Sequence, residues 1–307
     1  MEHIFIVNPV AGKADARAFV LPRLEQAEKA LGIRPVVVCT TRPGEAKEIA
    51  HSYAQKGEPV RLYACGGDGT LNEVFAGALG FEQVQVASVP CGSGNDFIRT
   101  FGPSASFLDL EAQIRGNAVP IDLIAVNGGV CASICSVGVD SEVAYGIPKF
   151  RRIPLCGGPM AYQLSIVLRM LHPLAKHLRI EADGEIFEGD YIIATVCNGK
   201  SYGGGYFAAP EADVTDGLLD VVLVKKLSRL RLAKVLGIYK RGEHLEDGNV
   251  RDLFQDIMQF RRVRHICIHP VDGQQPIVNI DGECAPAKGL CAQVMPLAAK
   301  FVLPAGL

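Results

Sequence analysis

An α/β domain built on a parallel sheet, followed by a second domain of antiparallel β-sandwich type, is the fold class this sequence predicts. Three observations predict it. The first third alternates short apolar runs with helical periods, the rhythm changes after Ile121 to strands separated by hairpin signals, and glycine-rich turns recur where early strands meet helices. Apolar strands without polar alternation, joined by helices, are what a parallel sheet covered on both faces produces. At roughly 150 residues per domain, 307 residues fit about two domains. We place the first at residues 1–120, rejoined by the tail 297–307, and the second at 121–296.

Ile4 to Val7 is a short strand run. After a loop, Asp15 is placed to cap a helix whose Leu21, Leu24, Ala27 and Leu31 recur at helical spacing until Gly32 stops it. Pro35 to Cys39 is rich in β-branched residues, Gly44 to Gln55 reads helical, Val60 to Cys65 is a strand, Leu71 to Leu79 a helix and Val84 to Val89 a strand. In the second part the strands are Leu123 to Val126, Val130 to Val137, Arg179 to Ala182, Ile186 to Cys197 and Leu218 to Val224. Turns at Asn127-Gly128-Gly129 and Ala182-Asp183-Gly184 separate some of them. Met160 to Leu171 is the one clear helix inside this part, Leu230 to Tyr239 a second, and Ala298 to Leu303 a last apolar run.

Composition narrows the function classes. With 31 basic and 33 acidic residues the net charge is -2, which disfavours a dedicated nucleic-acid binder. Hydrophobic residues make up 49% and charged ones 21%, at a mean hydropathy of +0.20, so disorder is excluded and a membrane span has to be considered. Leu123 to Val139 is interrupted by Asn127, Gly128 and Gly129, and Ile153 to Leu168 contains Pro154, Gly157, Gly158 and Pro159. Neither supplies the roughly 20 continuous apolar residues of a spanning helix. Met1-Glu2-His3-Ile4-Phe5 lacks the basic start of a secretory signal, so a soluble cytoplasmic protein is expected. The ten cysteines stand singly, mostly in apolar runs (Cys39, Cys65, Cys197, Cys267), with no CxxC pair and no histidine at zinc-ligand spacing. Buried free thiols are the expectation.

The sharpest local feature is Gly66-Gly67-Asp68-Gly69-Thr70, after a strand and before a helix. Its glycines let the backbone approach a ligand, and the helix that follows offers N–H groups to an anion, for which phosphate is the natural occupant. Asp68 beside phosphates makes sense when a cation or a transferable proton is also present. A second such loop, Pro90-Cys91-Gly92-Ser93-Gly94-Asn95-Asp96-Phe97, follows the next strand, and Asn8-Pro9-Val10-Ala11-Gly12 holds the equivalent place after the first. In a parallel sheet such loops line one crevice. A Walker A sequence is absent, because Ala14 follows Gly12-Lys13 and Gly199-Lys200-Ser201 lacks the earlier glycine. There is no complete GxGxxG, and Gly92-Ser93-Gly94 lacks the spacing of a hydrolase elbow.

NPVAG at 8–12, GGDGTLNEV at 66–74, PCGSGNDF at 90–97, YGGGYFAAPEADVTDGLLDV at 202–221 and NIDGE at 279–283, in that order, resemble the diacylglycerol kinase catalytic-domain family and its soluble bacterial lipid kinases. The resemblance spans nearly the whole chain and implies a fold like that of NAD and diacylglycerol kinases. It implies ATP in the crevice between domains, its phosphates near Asn8, Pro9, Val10, Ala11 and Gly12 and near Gly66, Gly67, Asp68, Gly69 and Thr70. Asn72 and Glu73 lie close by, and Thr40 and Ser93 match further nucleotide contacts. Asp68, Asp96 and Asp122 match acids around a catalytic Mg2+, which suits hard oxygen ligands. Glu283 matches the general base that takes the proton from the lipid hydroxyl. Asp281 joins Glu283 and Asp68 among the catalytic candidates, although Asp281-Gly282 also reads as a plain hairpin turn. Asp213, Asp216 and Leu218 match a second, structural Mg2+, where an ordinary turn is the bland alternative.

Three basic groups stand out: Lys149, Arg151 and Arg152; Lys225, Lys226, Arg229, Arg231 and Lys234; and Arg261, Arg262 and Arg264. A solvated face is the common explanation for any one of them, while cations near a lipid-binding cleft would favour anionic membrane. His172, His177, His265 and His269 lack a paired carboxylate or serine motif. The expected protein is therefore an ATP- and Mg2+-dependent lipid kinase with diacylglycerol as default acceptor, cytoplasmic and visiting the membrane transiently, with homodimers known among its relatives. NAD kinase is the alternative enzyme. A lipid-binding pseudokinase is the non-enzymatic alternative, disfavoured because Asp68, Asp96, Asp122, Asp281 and Glu283 are all present.

Overall fold

A computed structural model describes residues 1–151, 165, 168–169 and 172–307. The helix expected over Met160–Leu171 falls, but for Ser165, Leu168 and Arg169, outside the described residues, as do Arg152 and the side chains of Lys149 and Arg151. The chain forms two compact units. The first comprises Met1–Leu123, Val214–Asp216 and Met295–Leu307, and the second Ile124–Asp213 and Gly217–Val294.

In the first unit, β1 (Glu2–Val7), β2 (Val36–Cys39), β3 (Val60–Gly66) and β4 (Val84–Pro90) are parallel, in the spatial order β4-β3-β1-β2. Every residue of β3 is buried, as expected of a strand covered on both faces, and the charged residue within it, Arg61, is buried with the rest. Helix α1 (Ala16–Leu31) starts where Asp15 accepts the N–H of Arg17, and it ends at Gly32, whose φ of 66° is the left-handed stop glycine tolerates. Helix α2 spans Glu45–Ala54. Helix α3 spans Asp68–Ala78 and so begins earlier than the apolar period alone indicates, because Asp68-Gly69-Thr70 forms its first turn. Buried Arg61 donates from its guanidinium to Gln85 and to the carbonyls of Gln113, Ile114 and Gly116, which closes the end of α4 (Leu110–Arg115).

The second unit is antiparallel. It contains β6 (Gly129–Cys131), β7 (Ile134–Gly138), helix α5 (Val139–Arg151), β8 (Lys176–Ala182), β9 (Glu185–Cys197), β10 (Leu219–Lys225) and helix α6 (Arg229–Arg241). A small hairpin, β11 (Leu245–Glu246) with β12 (Asn249–Val250), is followed by β13 (Met258–Val263), β14 (His265–Pro270), β15 (Ile277–Ile280) and β16 (Glu283–Pro286). Strand β5 (Asn117–Val126) and strand β17 (Leu290–Leu303) carry the chain from one unit to the other. Strand order runs β16-β15-β7-β9-β8-β14-β17, and β10 pairs with β9 and β13. Alternation along a strand serves two apolar layers: Val196 and Val221 face one cluster with Ile180, Ile266 and Leu290, while Cys197 and Val222 face another with Ile192, Leu232 and Tyr239.

Several expectations need correction. Val130–Val137 is two strands, because the Asp281 carboxylate accepts the N–H groups of Ala132, Ser133 and Ile134 and removes them from any ladder. Helix α5 forms where the sequence shows little helical signal, which Gly146 and Pro148 weaken. The cysteines are not all free thiols, since Cys267 and Cys291 face each other across β14 and β17 and form a disulfide. His177 does have carboxylate partners, Asp190 at 2.9 Å and Glu188 at 3.3 Å, brought by the antiparallel register of β8 and β9. Val214–Asp216, inside the span read as second domain, groups with the first unit, where Val214 O accepts the N–H of Asp122. Among the described residues no helix is long and apolar enough to cross a membrane.

His244 precedes β11, is buried, and its Nε2 lies 2.9 Å from the carbonyl of Ala208. Burial holds its imidazole down to about 4 from 6.5, against a smaller opposing pull from that carbonyl. Between those values the unfolded chain binds the extra proton, so the stability this group contributes is complete above pH 6.5 and is lost as pH falls toward 4. We predict an acid-side loss of up to about 3 kcal/mol from this residue, measured as urea unfolding against pH. His244→Gln, which keeps a donor to Ala208, should flatten that part of the curve.

Candidate functional site

In the first unit, three loops leave the carboxyl ends of β1, β3 and β4 and meet backbone to backbone. Asn8 donates its N–H to the Cys65 carbonyl, and Cys91 and Gly92 both donate theirs to the Gly66 carbonyl. A Cβ on Gly92 would sit 2.4 Å from the Gly67 Cα, and one on Gly12, where φ is 83°, would sit 2.2 Å from the Cys91 carbonyl oxygen. Contacts under 3.0 Å have no room for a side chain, so glycine is required at both positions for the loops to converge. The side chain of Asn8 adds a bond from Nδ2 to the Thr70 hydroxyl at 3.2 Å.

Helix α3 starts in this convergence, and its N-cap residue, Gly67, has no side chain to offer the first-turn N–H groups. Its first-turn N–H groups and the positive end of its dipole therefore suit an anion. The Asp68 carboxylate, in that first turn, accepts the N–H groups of Asp96 at 2.8 Å and Phe97 at 3.2 Å and so clasps the second glycine loop to the first. Asp96 is 7% exposed, and its carboxylate lies 3.4 Å from Arg99 Nε. One Oδ2 from Asp68 and one from Asp96 lie within 2.9 and 3.2 Å of the point where a Gly94 Cβ would stand. Two carboxylates are thus gathered at the rim of an anion-suited crevice, a donor set of hard oxygens.

The remaining expected residues of this unit are placed as follows. Val10 is exposed, Pro9, Ala11, Thr40 and Asn72 are half-buried, and Thr40 donates its N–H to the Val7 carbonyl at 2.9 Å. Ser93 is exposed at the tip of its loop. Glu73 does something the motif did not reveal: its carboxylate accepts the N–H groups of Gly44 at 2.8 Å and Ala46 at 3.1 Å, which tethers α3 to the start of α2. Fully buried Asp122 on β5 accepts the N–H of Leu297 at 2.7 Å. Burial pushes the Cys91 thiol up to about 11, so it stays protonated and is no nucleophile at neutral pH.

In the second unit, Asp281 and Gly282 form a two-residue hairpin turn between β15 and β16, with φ of 47° and 92°. Positive φ at both positions is the primed turn that antiparallel strands favour. The Asp281 carboxylate is engaged by the N–H groups of Ala132 (2.6 Å), Ser133 (2.9 Å) and Ile134 (3.1 Å), which anchors the turn. Glu283, the first residue of β16, is exposed. Asp140, at the start of α5, belongs to no motif and was missed. Burial raises its carboxyl above the usual range, while the hydroxyls of Ser136 and Tyr202 pull the other way.

Asp213–Leu218 is a turn before β10, with Asp213 and Asp216 exposed and Leu218 half-buried. Several surface cations are engaged within the protein: Lys226 with Asp190 at 3.3 Å, Arg231 with Asp256 at 2.7 Å and Arg262 with Asp220 at 3.1 Å.

Residues 2–126 match the family model described as diacylglycerol kinase catalytic domain. Residues 133–303 match that of the YegS C-terminal NAD kinase beta sandwich-like domain. A relative named diacylglycerol kinase from Bacillus subtilis (strain 168) is 31% identical over 281 residues, covering 91% of this chain and 88% of its own. One named "Probable lipid kinase YegS-like" from Pseudomonas aeruginosa (strain UCBPP-PA14) is 32% identical over 302 residues, covering 96% and 92%. The crystal structure of a diacylglycerol kinase from Bacillus anthracis str. Sterne superposes with a TM-score of 0.69 at 20% identity over 98% of this chain and 96% of that one, a likeness of fold.

The contact between Gly67 and Gly92 yields a direct test. Gly92→Ala should force the two loops apart and weaken binding of a nucleoside triphosphate at least about tenfold, a change of about 1.4 kcal/mol by calorimetric titration. Gly80→Ala, at a position with open space around it but a φ of 84°, should strain the backbone and leave nucleotide affinity unchanged.

Proposed function

Because this chain belongs to the diacylglycerol kinase catalytic-domain family of lipid kinases, we propose that it transfers the γ-phosphoryl group of ATP to a hydroxyl of a membrane lipid, with diacylglycerol the default acceptor and phosphatidic acid the product. The observation that carries this reading is the convergence of three glycine loops over a helix N-terminus that begins at Gly67, with two carboxylates beside them. Phosphoryl transfer asks little covalent chemistry of the protein, so positioning and charge neutralisation provide most of the acceleration.

In this reading the backbone of Asn8–Gly12 and of Gly66–Thr70 binds the donor phosphates, and Asn72, Thr40 and Ser93 add contacts to the nucleotide. Glu73 works at one remove, by holding α2 against α3. Asp68 and Asp96 are the residues that would hold Mg2+, with buried Asp122 contributing to the same acidic network, and the hard oxygens on hand fit that ion. When bound, the ion supplies charge neutralisation at the phosphates. Exposed Glu283 takes the proton from the attacking hydroxyl, and Asp281 positions it through the anchored turn. The turn Asp213–Leu218 is proposed as a second, structural Mg2+ site built from Asp213, Asp216 and the Leu218 carbonyl. The protein works in the cytoplasm and visits anionic membrane transiently through surface cations.

The decisive measurement is transfer of labelled γ-phosphate from ATP to a panel of diacylglycerol, monoacylglycerol, sphingosine, ceramide, polyprenol and NAD. Labelling of diacylglycerol is expected, and labelling of NAD alone would replace the lipid reading with that of a NAD kinase. Glu283→Ala should lower kcat by about 10²- to 10⁴-fold at unchanged KM for ATP, whereas wild-type kcat in this variant would remove Glu283 as the base. Added Mg2+ should raise the melting temperature of the wild type more than that of Asp216→Ala, and equal shifts would dismiss the second site.

A further inference from the structure

A cluster on the solvent-facing side of β14 plays no part in the proposed kinase reaction. Ile266 and Ile268 are fully buried, so the alternation of the strand turns His265, Cys267 and His269 to the opposite face. The register sets Cys267 directly across from Cys291 on β17, with their Cα atoms 4.1 Å apart. The two histidines flank this pair: His269 Nε2 lies 3.7 Å from Cys291 Sγ, and His265 Nε2 lies 3.8 Å from Cys267 Sγ. One ligand atom each from Cys267, His269 and Cys291 falls within 4.8 Å of the others. Gly289 makes room for this arrangement, because a Cβ there would stand 2.4 Å from His269 Nδ1.

We propose that in the dithiol state Cys267, Cys291 and His269, completed by His265, bind a thiophilic divalent metal ion of borderline softness, of which Zn2+ is the type. Tetrahedral zinc with bonds of about 2.3 Å to sulfur and about 2.0–2.1 Å to nitrogen has ligand-to-ligand edges of roughly 3.3–3.8 Å, the sulfur-to-nitrogen ones about 3.6 Å. Two of the four sulfur-to-nitrogen distances, 3.7 and 3.8 Å, are already close to that length. The two sulfurs have to separate, which reduction of their bond permits by side-chain rotation, and His265, which lies beside Cys267 but outside the group within 4.8 Å, has to swing in to complete the site. Thiolate and imidazole are the donors that such a metal selects over Mg2+.

Metal and disulfide exclude each other, since a sulfur bonded to its partner is no longer a thiolate. Exchange with a low-molecular-weight disulfide RSSR balances as M2+(Cys-S-)2 + RSSR giving Cys-S-S-Cys, M2+ and two RS-. Each protein sulfur gives up one electron, the S–S bond of RSSR takes both, and the metal leaves with its charge unchanged. The site is therefore one that oxidation empties.

The test uses the full chain, reduced with a phosphine, freed of reductant under anaerobic conditions and titrated with Co2+ as the spectroscopic probe. We expect one Co2+ per chain, a thiolate-to-cobalt charge-transfer band, displacement by Zn2+, and release on adding glutathione disulfide. The oxidised protein should show no such band. Cys267→Ser and Cys291→Ser should abolish it, His269→Gln and His265→Gln should weaken Co2+ binding, and Cys284→Ser should leave it intact, with thermal unfolding checking that each variant folds. Absence of the band in reduced wild-type protein, or its persistence in the Cys267→Ser/Cys291→Ser double variant, would overturn the proposal.

Discussion

Gly67 and Gly92 come so close that a single methyl group on Gly92 would sit 2.4 Å from its neighbour's Cα, and the geometry of the first unit follows from that approach. The ends of β3 and β4 are drawn together by bonds from Cys91 and Gly92 to one carbonyl, that of Gly66. This brings the N–H groups of Asp96 and Phe97 within reach of Asp68, whose carboxylate then locks the second loop over the first turn of α3. A larger residue at Gly92 would part the loops, and the acidic rim and the helix terminus would no longer address the same point. The parallel sheet supplies direction, but the glycines set the spacing.

The second unit solves a different problem with the same kind of group. A carboxylate placed among backbone N–H donors is well satisfied without a cation, and Asp281 takes three such donors from Ala132, Ser133 and Ile134. The cost is a broken strand between β6 and β7, and the gain is a rigid turn that presents Glu283. Asp68 and Asp281 thus share a device, a carboxylate accepting consecutive N–H groups, used in one case at a helix start and in the other at a hairpin.

Local patterns were legible in the sequence, and long-range ones were not. The apolar runs of β1, β3 and β4, the Asp15 and Gly32 caps of α1 and the hairpin at Asp281-Gly282 are all encoded within a few residues, and the α/β-plus-antiparallel fold class follows from them. The start of α3 was read late because Gly-Asp-Gly-Thr has weak helical propensity, which the packing of its first turn overrides. The split of Val130–Val137 depends on a residue about 150 positions away and leaves no local trace. The same holds for the link from Glu73 to α2, for His177 with Asp190, and for Cys267 with Cys291, partners that only strand register or helix packing brings together.

Asp122 has a consequence for how the molecule comes into being. Its backbone donates to Val214 and its side chain accepts from Leu297, so one buried residue joins segments made early, midway and late in synthesis. In the same unit β4 pairs on one side with β3 and on the other, through Val86, with Phe301 of β17. A nascent chain that has just released residues 1–123 therefore holds a parallel sheet whose β4 edge stays open until the tail arrives. The unit that reads as N-terminal matures last, and until then its β4 edge is open to pairing with another strand.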